Sequence, residues 1–168
     1  MMLHVPQEWF WPYLASNLTA LALVVIVFKW PIVAKWLFAA MFLGAFYANT
    51  TLVLRSPEDY QGYDKFVLLP AYHQFITGYF ADHTQTIVLM IAFGQLVIGL
   101  LLCGRGFIPR LGILGAAVFL AAIIPLGIGS AFPFSLICIL ALVLLDMHVR
   151  HEAIQPRAGH RSNGFAAR

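Results

Sequence analysis

The chain has 168 residues, of which 61% are hydrophobic and 10% charged, and its mean hydropathy is +0.85. An ordinary soluble domain carries about 25% charged residues, so this composition excludes a water-soluble globule and calls for lipid as the surrounding solvent. The net charge of +3 does not point to nucleic acid, because the basic residues follow membrane topology, and two cysteines without a CxxC pair exclude a disulfide framework or a Cys-based zinc site.

A membrane-spanning helix needs about 20 apolar residues to cross roughly 30 Å of hydrocarbon. Five stretches approach that length: 10–28, 32–54, 86–103, 111–128 and 132–147. Helix is the only form such runs can take, since backbone polar groups must find their partners internally in lipid. The sequence therefore predicts an all-α membrane protein. It has a four-helix transmembrane bundle, an extra N-terminal helix and short amphipathic helices in one long loop. The first stretch is interrupted by Pro12 and Asn17 and is also compatible with a tilted or re-entrant segment. The N-terminus lacks a basic leader and a small-residue cleavage site, so this stretch is expected to be retained. The expected organisation is an N-terminal segment over 1–31, a bundle over 32–149 with an outer loop at 55–85, and a disordered tail over 150–168.

Charge orients the spans. With the C-terminal tail inside, Lys29, Lys35, Arg105, Arg110, Arg150, Arg157, Arg161 and Arg168 all lie inside, and only Arg55 and Lys65 lie outside. That is the positive-inside bias of an inner (cytoplasmic) membrane protein. Glu8, Glu58, Asp59, Asp64 and Asp82 then fall outside, Trp9, Trp11 and Tyr13 mark the outer interface, and Trp30 and Trp36 mark the inner one.

The outer loop is the most informative stretch. Ser56, Pro57, Glu58 and Asp59 read as a helix start, with Ser56 as cap and two acids at the positive end of the dipole. Tyr60, Tyr63 and Val67 recur at helical spacing, and Tyr72, Phe75, Ile76 and Tyr79 do so after Pro70. Two amphipathic helices on the outer leaflet would explain both sets. Their aromatics, Tyr60, Tyr63, Phe75 and Tyr79 among them, serve either as a packing cap and interface or as a lid over a ligand pocket. His73, Asp82, His83, Glu58 and Asp64 supply carboxylates and imidazoles in the same loop, but their spacing matches no metal-ligand pattern, so no metal site is assigned. Asp146 is read as an i,i+4 partner of Arg150.

No ionisable residue lies in mid-membrane. Gln95, near the centre of the third long span, is the polar residue that needs an explanation there. It is either a staple between helices, of about 0.6–2 kcal/mol, or a hydrogen-bond donor to a lipophilic ligand such as a quinone. Asn49 poses the same choice near the outer end of the second span. Cys103 and Cys138 fall in opposite leaflets and read as packing residues. Gly112 and Gly115 read as sites of close helix approach.

Several short motifs together resemble the DoxX-like family of small bacterial membrane proteins. They are Pro57-Glu58-Asp59-Tyr60 and Leu69-Pro70-Ala71-Tyr72 in the loop, and Gly99-Leu100-Leu101-Leu102 in the third span. Gly106 and Arg110-Leu111-Gly112 follow at the inner turn, then Phe119 and Pro125-Leu126-Gly127 in the fourth span. The resemblance covers roughly residues 32–146. Members often carry glutamate where Gln95 stands, so this chain has a neutral amide in place of a membrane carboxylate. The 10–28 stretch is an addition to the family's four-helix core. The resemblance implies a small membrane subunit linked to a quinone-dependent redox system, with a membrane or redox protein as partner and Gln95, Asn49, Tyr72 and His73 as ligand residues. A non-catalytic assembly subunit and a binder or transporter of lipophilic molecules are the alternatives. A pocket beneath the outer loop, lined by Gln95 and an aromatic, separates the ligand readings from a filled assembly bundle.

Overall fold

The computed structural model describes Gln7 and residues 10–154, the side chains at positions 61 and 151–154 excepted. These residues are helical nearly throughout, and no strand occurs among them. The long helices are α1 (Phe10–Lys29), α2 (Pro31–Arg55), α4 (Ala81–Cys103), α5 (Ile108–Ile123) and α6 (Phe134–Ile154), with a short α3 (Pro70–Phe75) before α4. Four helical runs are long and apolar enough to cross a membrane: Phe10–Lys29, Pro31–Arg55, Pro70–Cys103 and Ile108–Ser130. In α6 an apolar run over 134–145 precedes Asp146. At 1.5 Å per residue the 20 residues of α1 reach about 30 Å, one hydrocarbon thickness.

The helices close a ring. α2 packs most extensively on α4, α4 on α5, α5 on α6, α6 on α1, and α1 returns to α2. A single residue, Trp30, joins α1 to α2. Its φ of −143° and ψ of 69° break the helix, and Pro31, which lacks an N–H, opens the next one. The helices are apolar on every face, and side chains such as Met90, Phe93, Leu114 and Val118 are more than half exposed on the outside. Such surfaces belong in lipid. Asn17 fastens α1, donating from Nδ2 to Tyr13 O and, at 3.1 Å, to Ala131 O just before α6.

Within lipid, burying a leucine gains little from leaving water, so close packing is what holds the helices. Ala34, Ala39, Ala92, Ala116 and Ala141 are almost wholly buried at the seams. Gly112 lets α5 approach α4 closely, for a Cβ there would stand 2.9 Å from Leu102 N. Phe38, Leu102, Leu142 and Leu145 fill the centre at the Lys35 end of the ring. A smaller core of Val53, Tyr60, Ile76, Phe80 and Val88 lies at the opposite end.

Asp146 ties the basic end together. Arg150 Nε donates to Oδ2 at 2.6 Å, as the i,i+4 spacing predicts, and Arg110 Nε donates across from α5 to Oδ1 at 3.0 Å. Arg150 is 57% exposed and Arg110 31%. Arg110→Ala is therefore expected to cost about 1–3 kcal/mol by freeing a cross-helix carboxylate oxygen, and Arg150→Ala no more than about 0.5 kcal/mol. Thermal unfolding of the two variants in mild detergent checks the order, and equal losses would contradict it.

Three expectations are corrected. Residues 57–66 form a 3₁₀ helix, not an α-helix. At three residues per turn, positions 60, 63 and 66 eclipse on one face, so Tyr63 lies beside Tyr60 with ring centroids 6.1 Å apart, and Val67 packs against the same small core as both. Ser56 occupies the cap position without a side-chain bond. The second expected helix, from Pro70, is set off from the span by breaks in helical backbone at Gly78 (φ −108°, ψ −110°) and at His83 (φ −128°, ψ 21°). Finally, α6 continues to Ile154, so residues 150–154 of the expected tail are helical, and 155–168 lie outside the described residues.

Candidate functional site

Between the two cores the ring does not fill. A cavity of about 380 Å³ lies under the 57–80 segment, walled by α2, α4 and α5. That volume is at the lower end of the usual range for small-molecule sites, about 300–1,000 Å³. Its walls are largely apolar: Phe75, Ile76, Phe80, Val88, Ile91, Phe119 and Leu126. Phe119 also meets Phe42 edge to face at 5.7 Å, which seals the floor.

The roof is positioned by backbone contacts to the 3₁₀ segment Ile124–Ser130. Leu68 N donates to Pro125 O at 2.8 Å. Gly129 lies against the ring of Tyr63, and Gly127 lies against Phe66 O. Tyr72 OH donates to Ala122 O at 2.8 Å and so ties α3 to α5 across the cavity. These contacts aim Tyr60 and Tyr63 down into the bundle.

The polar groups of the cavity form a directed chain. Tyr60 OH donates to Asn49 Oδ1 at 2.8 Å, and Asn49 Nδ2 donates to Gln95 Oε1 at 2.8 Å. Gln95 is 4% exposed, and its carbonyl is already used. Its Nε2 has no partner among the described residues and opens on the cavity. The chain therefore ends in an amide N–H at a cavity with largely apolar walls. Tyr63 OH is a second lining hydroxyl with no hydrogen-bond partner among the described residues. A ligand offering hydrogen-bond acceptors would relieve both.

Among the described residues no carboxylate, lysine, arginine or histidine lines the cavity. Burial, then Tyr63 and Asp59, pushes the Tyr60 hydroxyl up to about 12, and burial raises Tyr63 as well. A folded value above the ordinary 10 means the stabilisation is intact below pH 10 and is lost as pH rises through the folded value. Affinity for an apolar ligand is expected to stay flat from about pH 6 to about pH 9 and to fall only as the pH climbs from about 10 towards 12. Titration by ligand-dependent fluorescence checks this, and a midpoint near neutrality would implicate some other group.

The structure brings Asn49, Gln95 and Tyr72 together round one cavity with Tyr60, Tyr63 and Phe75. His73 stands outside it, half-exposed, with Nε2 4.0 Å from Asp64 Oδ2. Tyr79 also points away. It is 62% exposed and stacks on His83 at 4.4 Å. The i, i+3, i+4, i+7 spacing placed Tyr79 on the inward face, but the backbone leaves helical geometry at Gly78 (φ −108°, ψ −110°), immediately before it, and the helical register is lost there. Tyr60, expected at an outer interface, is buried. Sequence reasoning did not single out Phe80, Ile91 or Phe119 as walls, and no local pattern distinguishes them from the neighbouring apolar residues that face lipid.

Among the described residues no group of three His, Cys, Asp or Glu side chains is placed to hold a metal ion. Comparison with family models, with curated proteins and with solved structures returns no match to the chain.

Proposed function

We propose that the protein is a small DoxX-like integral membrane subunit of a quinone-dependent redox system, and that its cavity receives the quinone head group. The observation that supports this most is the end of the polar chain. An apolar cavity of about 380 Å³ presents the Gln95 amide and the Tyr63 hydroxyl as unpartnered donors, and no charge. A quinone ring is flat and apolar with two carbonyl acceptors, so its two oxygens match the two donors and its faces match the aromatic walls. The redox chemistry belongs to the quinone and to a membrane or redox protein that exchanges electrons with it. Residues of this chain bind and orient it. The charge bias supports a bacterial inner membrane with the cavity in the outer leaflet and the C-terminus cytoplasmic.

Purification in native lipid particles, followed by mass spectrometry of both the organic extract and the protein, tests this reading. A quinone retained by the wild-type chain and lost from Gln95→Leu is the expected result. A stoichiometric protein partner with no small molecule would instead assign a non-catalytic assembly role.

A further inference from the structure

A second concavity, of about 350 Å³, opens at the other end of the ring. It lies between the start of α2, the α4–α5 turn and the last turns of α6. Three nitrogen-bearing side chains reach it from three different elements: Lys35, Arg105 and His148. No carboxylate lines it among the described residues. The neighbouring acid, Asp146, has one oxygen on Arg110 and the other on Arg150, so it does not neutralise them.

The cations are otherwise little engaged. Among the described residues Lys35 Nζ donates only to a neutral main-chain carbonyl, Gly104 O at 3.3 Å, and it sits 5.0 Å from the Trp36 ring. Arg105 is exposed and has no ion pair or hydrogen bond among the described residues. His148 Nδ1 is 2.8 Å from Leu144 O, and Nε2 has no partner among the described residues.

The remaining wall is apolar. Ile32, Leu145 and Val149 line it, and Ile32 is 60% exposed towards the lipid-facing side. Exposed Trp30 and Trp36 flank the start of α2 at the level where aromatic belts meet headgroups. A binder for this place needs a compact anion and an apolar continuation that leaves sideways. A basic pocket between helices at a membrane interface suits a phosphate carried on acyl chains.

We propose that this pocket binds the phosphate of an anionic lipid headgroup, one per bundle, with Lys35 and Arg105 as its charge contacts. Phosphate is the recognised chemistry, and the apolar wall assigns the lipid rather than the free ion. This site is independent of the quinone cavity.

Native mass spectrometry of the full chain, with dioleoyl phosphatidylglycerol or dioleoyl phosphatidylcholine added, tests it. One phosphatidylglycerol is expected to stay bound under conditions that strip phosphatidylcholine. Arg105→Gln should weaken that binding at least tenfold, whereas Arg55→Gln, with the same charge change at the other end of α2, should not. Thermal unfolding in phosphatidylcholine micelles verifies that Arg105→Gln remains folded. Inorganic phosphate that binds and displaces the lipid at equal concentration would overturn the lipid assignment in favour of a soluble anion. Equal retention of both lipids, or an unchanged Arg105→Gln, would overturn the site altogether.

Discussion

Gln95→Leu is expected to weaken binding of a short-chain quinone by about tenfold or more, the equivalent of about 1.4 kcal/mol, while the bundle still folds. The reasoning follows the directed chain. Tyr60 OH and Asn49 Nδ2 spend their protons on Asn49 Oδ1 and Gln95 Oε1, which leaves Gln95 Nε2 as the terminal donor in an apolar wall. Leucine has similar bulk and no donor, so the shape of the site persists and the hydrogen bond does not. Asn49 Nδ2 also loses its acceptor, which costs about 1–2 kcal/mol of stability. Asn49→Leu together with Tyr60→Phe in the same background separates the two effects, because removing every member of the chain leaves no orphaned amide or hydroxyl. The triple variant should recover stability without recovering affinity. Isothermal titration in detergent reads the affinity, and undiminished binding by Gln95→Leu would remove the amide from the site.

Gly127→Ala is expected to be the most destabilising single-methyl change in the roof, at about 2–4 kcal/mol. Gly127 holds φ at 60° and ψ at −124°, a region that costs any residue with a Cβ. A Cβ there would also collide with Phe66 O and press on Leu68. Relief requires the 57–66 segment to lift, which strains the Leu68 N to Pro125 O bond and carries Tyr60 and Tyr63 with it. The same variant should therefore lose quinone affinity as well as stability. Gly44→Ala is the control. Gly44 is in α2 with no atom within 4 Å of an added Cβ, so helix propensity should make the change neutral or slightly stabilising. Equal unfolding temperatures for the two variants would show that the Gly127 turn does not hold the roof.

Both outcomes depend on features of very different legibility in the sequence. The spans were readable because length and apolarity are local properties, and the bounds of α1 and α2 lie within a residue of the apolar runs. The Asp146–Arg150 pair was readable for the same reason, being one helical turn apart. Arg110, the second partner of Asp146, was not, since it comes from another helix 36 positions away. The contact between Asn49 and Gln95 spans 46 positions and depends on how α2 and α4 align. Each amide stood out as a polar residue in an apolar run, but nothing in the run says that they meet. The loop was misjudged where winding departs from 3.6 residues per turn. The 3₁₀ helix turns Tyr60 and Tyr63 inward as a pair, and the break in helical backbone at Gly78 takes Tyr79 out of register. Trp30 was read as an interface aromatic, whereas it is also the whole connection between α1 and α2.

The most direct measurement is the infrared spectrum of a carbonyl-labelled short-chain quinone bound to the full chain, taken for the wild type and for Gln95→Leu. A hydrogen bond from Gln95 Nε2 lowers the stretching frequency of one carbonyl, and the expected result is a downshifted band in the wild type that returns towards its apolar-solvent position in the variant. A bound quinone whose carbonyl bands are the same in both proteins would contradict the assignment of Gln95 as the ligand's donor.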